Sequence, residues 1–103
     1  VPYDPNLHQL FFGEELSMAV RLFTHGYDCY APPETVCYHL WSRAYRPTHQ
    51  ATSPLQLEQR ATSLQTVRQQ LLGNDQAKDK YYGLGTCRSV NDFWKALHID
   101  FAS

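Results

Sequence analysis

The run Phe11-Phe12-Gly13-Glu14-Glu15-Leu16-Ser17-Met18-Ala19-Val20-Arg21-Leu22-Phe23 sets the frame for the rest of the chain. At about 100° per residue, Leu16, Ala19, Val20 and Phe23 share one face, the i, i+3, i+4, i+7 pattern of a packed helix. Met18 and Leu22 widen that face, and only a strip with Glu14, Ser17 and Arg21 is plainly polar. A helix apolar over so much of its circumference is buried, so its start is held rigidly. Two adjacent carboxylates stand at that start, just after a glycine turn.

Acidic residues in a first helical turn have a plain structural explanation. The free N–H groups and the helix dipole favour them by roughly 0.3–1 kcal/mol when exposed. A functional reading rests on their company. Aromatic residues precede Glu14, and a His25-Gly26 helix stop follows Phe23. Beyond it come Tyr27-Asp28-Cys29-Tyr30-Ala31-Pro32-Pro33 and Val36-Cys37-Tyr38-His39-Leu40-Trp41-Ser42-Arg43.

The 103 residues suffice for one domain with one core. A composition of 43% hydrophobic and 18% charged residues fits a soluble globular protein. The formal net charge of −1 argues against broad electrostatic binding to nucleic acid or an anionic membrane. No apolar run reaches the length of a transmembrane helix, and no signal-peptide pattern opens the chain. It begins Val1-Pro2-Tyr3 without an initiator Met, and so reads as a piece of a longer protein. Three cysteines make a complete disulfide framework unexpected. Cys29 and Cys37 can face each other across a hairpin, but the reduced thiols of an intracellular protein are the simpler reading; the cytoplasm is expected, with the Golgi open for a longer parent protein.

In chain order, Leu10-Phe11-Phe12 reads as a short strand or extended entry, and the first helix as running from Glu14 to His25, with Gly26 at its left-handed cap. Tyr27–Ala31 and Val36–Trp41 read as strands either side of a Pro32-Pro33-Glu34 turn. Period-2 alternation puts Val36, Tyr38 and Leu40 on one side and Cys37, His39 and Trp41 on the other. Ser53-Pro54-Leu55-Gln56 opens a second helix with a Ser cap, Pro at the first position and Gln at the third. Its inner side is expected to carry Leu57, Ala61, Leu64, Val67 and Leu71, and Gly73-Asn74 ends it. Asp75–Lys80 reads as a solvated connection. Ser89 caps a third helix, with Asp92 at its third position and Val90, Phe93, Trp94 and Leu97 inward. The expected fold is therefore α+β, three helices with two or three short strands. It is a single domain over residues 1–103, with a strand-helix-strand segment at 1–48, a helix at 53–73 and a closing segment at 81–103.

His39 is the sharpest single candidate for chemistry, although a histidine among strand aromatics is most often a hydrogen-bonded structural residue. Zinc would require companions at ligand spacing, and the cysteines at 29, 37 and 87 form no Cys-x-x-Cys pair. An open metal site completed by another segment is compatible with the pattern. Arg43, at the end of the same strand, suits bidentate phosphate recognition. Glu14 and Glu15 suit orientation of an acceptor hydroxyl or stabilisation of a cationic sugar transition state.

The order of these motifs resembles the GlcNAc glycosyltransferase family, that of the cytoplasmic hydroxyproline N-acetylglucosaminyltransferase. Phe-Phe-Gly-Glu-Glu, Ala-Val-Arg-Leu-Phe-Thr-His-Gly-Tyr-Asp, Tyr-Ala-Pro-Pro and Tyr-His-Leu-Trp-Ser-Arg carry the likeness over residues 2–47. Tyr-Tyr-Gly-Leu-Gly-Thr-Cys-Arg-Ser-Val extends it through residues 81–101. That family in turn resembles polypeptide N-acetylgalactosaminyltransferases, with their Gly-Glu-Asn helix followed by a metal-binding histidine. The resemblance implies the C-terminal part of a GT-A type, retaining, metal-dependent transferase that uses a UDP-sugar donor and a protein acceptor. Carried over, Glu14 and Glu15 become the catalytic residues, and Gly13, Arg43 and Trp41 contact donor or substrate. His39 completes a Mn²⁺ or Mg²⁺ shell. The spacing His39-x-x-x-Arg43 departs from the His-x-x-Arg of the analogous enzymes. No Asp-x-Asp or Asp-x-His is present, nor a βαβ run before Gly13, so the cation is expected only with an N-terminal half, and the piece alone is expected to be inactive.

A reading from another class makes the chain a non-catalytic peptide- or glycan-binding module derived from such an enzyme, using Tyr81, Tyr82 and Trp94. Unpaired strand edges would also invite homodimerisation.

Overall fold

The computed structural model describes residues 1–42, 44–45, 53–75, 77 and 79–100. It holds three α-helices, α1 (Glu14–Thr24), α2 (Pro54–Leu71) and α3 (Val90–Ala96), with a 3-10 turn at Lys80–Tyr82. Among the described residues there is no strand, so the fold is all-helical and the α+β expectation is corrected. The reason is one of partners. A strand exists only where its N–H and C=O groups are laddered to a neighbour. Pro32 and Pro33 remove two donors from the middle of Tyr27–Trp41, and its apolar alternation meets no sheet. Tyr30, Val36, Tyr38 and Trp41 are 85, 79, 93 and 77% exposed.

The helix ends follow local chemistry. The Ser53 hydroxyl accepts from Gln56 N–H and the Gln56 amide oxygen accepts from Ser53 N–H, both at 3.1 Å. Ser89 and Asp92 build the same reciprocal cap on α3. At the far end of α2, Gly73 adopts φ 90°, with nothing within 4 Å of where a β-carbon would stand. Gly73→Ala is therefore expected to cost about 1 kcal/mol, wholly conformational. A urea denaturation midpoint reads this, and a loss as large as that of a core truncation would contradict it.

Helix α1 is the centre. Val20 is fully buried against Val67 and Leu71 of α2 and Val90, Phe93 and Trp94 of α3, with Leu7, Leu10, Leu16, Ala19, Phe23 and Leu84 packed around them. Phe23 meets Phe93 edge-on at 5.5 Å between ring centroids. Trp94 Nε1 donates to the Leu71 carbonyl at 2.8 Å, satisfying one of the carbonyls that the end of α2 leaves open. Leu57, Ala61, Leu64 and Leu97 are exposed, so the inner faces of α2 and α3 are shorter than expected.

The face α1 buries differs from the one its apolar spacing marks. Its buried residues are Ser17, Val20, Arg21 and Thr24, whereas Leu16, Ala19 and Phe23 are only half-buried. Each of the buried hydroxyls has its partner: Ser17 Oγ bonds Gln70 Oε1 at 2.8 Å, and Thr24 Oγ1 donates within its own helix and accepts from Gly85 N–H at 2.9 Å.

The loop after the 3-10 turn closes the end of α1. Cys87 N–H donates to the Thr24 carbonyl at 2.9 Å, and Arg88 Nε to the Phe23 carbonyl at 2.8 Å. Arg88 also pairs with Asp28 at 2.7 Å and lies 4.0 Å over the Phe23 ring. Asp75, at the start of the charged connection, is tied to its surroundings. Asp75 accepts from Leu84 N–H at 2.8 Å and from Ala77 N–H at 3.2 Å.

Candidate functional site

Gly13, at φ 109°, turns the chain into α1 without any side chain capping the first turn. Glu14 and Glu15 follow directly, and the two diverge. Glu15 is exposed, whereas Glu14 is half-buried with its Oε2 closed off from solvent and without a hydrogen-bond partner. One turn further in lies Ser17, and beyond it Arg21, only 2% exposed. Nε and Nη2 of Arg21 likewise have no partner. Burial lowers the basicity of this guanidinium, while Asp4 and Asp75 pull in the opposite direction.

These groups meet at one cavity of about 120 Å³. Its polar wall is Tyr3, Asp4, Glu14, Ser17 and Arg21, and Leu7, Leu10 and Met18 complete it. Residues 1–10 roof the cavity because Leu7 and Leu10 pack on the core and the His8 carbonyl accepts from Ser63 Oγ at 2.6 Å. Asp4 Oδ1 is occupied within that segment, accepting from the Asn6 backbone N–H at 2.9 Å.

The other residues singled out from sequence lie elsewhere on the chain. His39 and Trp41 are exposed in the extended segment after α1, their rings tilted at 45° to each other with centroids 4.1 Å apart. Neither lines the Glu14 cavity. Arg43 lies outside the described residues. The three cysteines are free and exposed. Trp94 is a core residue, which removes it from the aromatic surface of the alternative reading.

Among the described residues, no three His, Cys, Asp or Glu side chains come together in a way that could hold an ion. Mn²⁺ and Mg²⁺ take mostly oxygen ligands in near-octahedral geometry, so one imidazole does not make their site. Among the described residues, too, no helix is long and apolar enough to cross a membrane.

Arg21 and Asp4 are the site residues that sequence reading missed. For Arg21 the signal was the alignment of Glu14, Ser17 and Arg21 along a single helix edge; Asp4 had none. A polar stripe on an otherwise apolar helix has two places to go: into solvent, or toward a polar interior cavity.

Comparison with protein families gives the class: this is a glycosyltransferase chain. The family model described as "Glycosyltransferase (GlcNAc)" matches residues 1–103, and the chain belongs to that GlcNAc glycosyltransferase family. No curated protein and no solved structure matches it.

Proposed function

We propose that this chain is part of a metal-dependent, UDP-sugar-using glycosyltransferase that moves N-acetylglucosamine onto a protein hydroxyl. These residues alone do not catalyse. The observation that carries the reading is Glu14: a carboxylate fixed at the start of the central helix, with one oxygen unpartnered beside a cavity. In this reading Glu14 orients the acceptor hydroxyl or stabilises the positive charge that develops on the sugar, and Glu15 assists from the exposed side. Gly13 allows close approach of the donor, with Trp41 and Arg43 contacting donor or substrate.

The cation belongs to the nucleotide-binding part of the enzyme, with His39 supplying one ligand. The large apolar side chains left exposed between Tyr27 and Trp41 support a dependence on further chain, since such a surface is ordinarily covered. The free, exposed thiols suit a reducing compartment, and we place the enzyme in the cytoplasm.

The test is UDP-GlcNAc turnover on a protein acceptor with the chain joined to its nucleotide-binding half. Glu14→Gln is expected to lower kcat at least about tenfold, and His39→Ala to raise the cation concentration needed for half-maximal rate. Wild-type rates in both variants would remove the assignment. Turnover by these residues alone would overturn the dependence on further chain.

A further inference from the structure

Half of the apolar side of α2 is left uncovered by the fold. Val67 and Leu71 are buried against the core, whereas Leu57, Ala61 and Leu64 are exposed, Leu57 by 52% and Leu64 by 40%. Arg68, also exposed, continues their line. At about 100° per residue these four lie within about 60° of one another around the helix. The flanking faces are occupied. Ser63 and Gln70 are buried beside Val67 and Leu71, and on the far side Asp4 and His8 of the entry segment face Glu58, Thr62 and Thr66 across a groove. What stays open between them is a stripe about 17 Å long.

The spacing of Leu57, Ala61, Leu64 and Arg68, alternately four and three residues, is that of a coiled-coil seam. This seam is complementary to its own reverse. Two copies of α2 laid antiparallel, with Ala61 opposite Leu64, set a small side chain against a large one twice about the two-fold axis. The same register puts Arg68 opposite Leu57 and beside Glu58 of the other copy, again twice. Among the described residues, neither the Glu58 nor the Arg68 side chain is paired within its own chain, so both are available. Parallel copies would instead bring Arg68 against Arg68, a like-charge contact. One polar residue in an apolar seam fixes register and orientation in this way.

We propose that the Leu57–Arg68 stripe of α2 is an interface between two copies of this chain, packed antiparallel with Glu58 and Arg68 paired across it. The inference does not rest on the transferase reading, and it involves none of the residues assigned there. One helix stripe buries less than the roughly 800 Å² per partner of a standard interface, so the dimer is weak and reversible. Its dissociation constant is expected on the order of 100 µM.

The experiment is sedimentation equilibrium of the chain, with a reductant present so that the exposed thiols do not link copies. Between about 10 µM and 1 mM the apparent mass is expected to rise from 11.9 kDa toward twice that value. Glu58→Arg and Arg68→Glu are each expected to weaken association at least about tenfold, because each sets like charges together twice across the axis. An equimolar mixture of the two variants is expected to associate as tightly as the unsubstituted chain, since every Arg again meets a Glu. Both positions are exposed, and a folding defect in either variant would not be repaired by mixing. The proposal is overturned by a chain that stays monomeric at about 1 mM, or by a mixture no tighter than its components. Association unchanged by either substitution also overturns it and moves the contact to the exposed apolar residues between Tyr27 and Trp41. A monomer once the chain is joined to its nucleotide-binding half overturns it too, and makes the stripe a contact within one enzyme.

Discussion

Gly85→Ala is expected to destabilise the chain by about 3 kcal/mol, the size of a severe core defect. A β-carbon built on Gly85 stands 2.5 Å from the Thr24 carbonyl carbon and oxygen and from the His25 nitrogen. Those are backbone atoms at the end of α1, and they have no rotamer by which to move aside. The loop must back away instead, and with it go the Gly85 N–H to Thr24 Oγ1 bond and the Cys87 N–H to Thr24 carbonyl bond, both 2.9 Å. Thr24 is 1% exposed, so water cannot replace them without opening the core. Against a total stability of about 5–15 kcal/mol for a domain, the variant should unfold at much lower urea. Gly73→Ala is the internal control, because that site has an adverse φ and open space. A Gly85→Ala loss below about 1 kcal/mol would mean that the loop does not clamp the helix as described.

The same clamp shows what the sequence could and could not reveal. Helix ends were legible because their chemistry is local: Ser53 with Gln56, Ser89 with Asp92, and glycines at positions 26 and 73 each act within a few residues. The family was legible too, because Phe-Phe-Gly-Glu-Glu through Tyr-His-Leu-Trp-Ser-Arg preserves an order of motifs. Strands were not, since Tyr27–Trp41 has the right side chains but a strand is defined by a neighbour that a single segment does not contain. Nor was the contact of Gly85 with Thr24, two residues 61 apart in sequence. The buried face of α1 escaped for a related reason. Hydrophobic spacing ranks faces by apolarity, whereas Ser17 is buried because Gln70 on α2 meets its hydroxyl. Arg21, one turn along the same edge, follows it inward, and so a cation sits where periodicity places apolar side chains.

Arg21→Met is accordingly expected to stabilise the chain, by about 2 kcal/mol. Methionine keeps most of the apolar stem of this buried side chain, and it needs no hydrogen bonds. The substitution removes two buried N–H groups that have no partner and a charge that burial disfavours. It also removes the attraction of Asp4 and Asp75, which offsets part of the gain. At roughly 4–8 °C per kcal/mol for a domain of this size, Tm should rise by about 10 °C. A fall in Tm would mean that the guanidinium is satisfied in solution. A rise in Tm would show that the buried cation is kept at a cost in stability, since packing alone would prefer methionine.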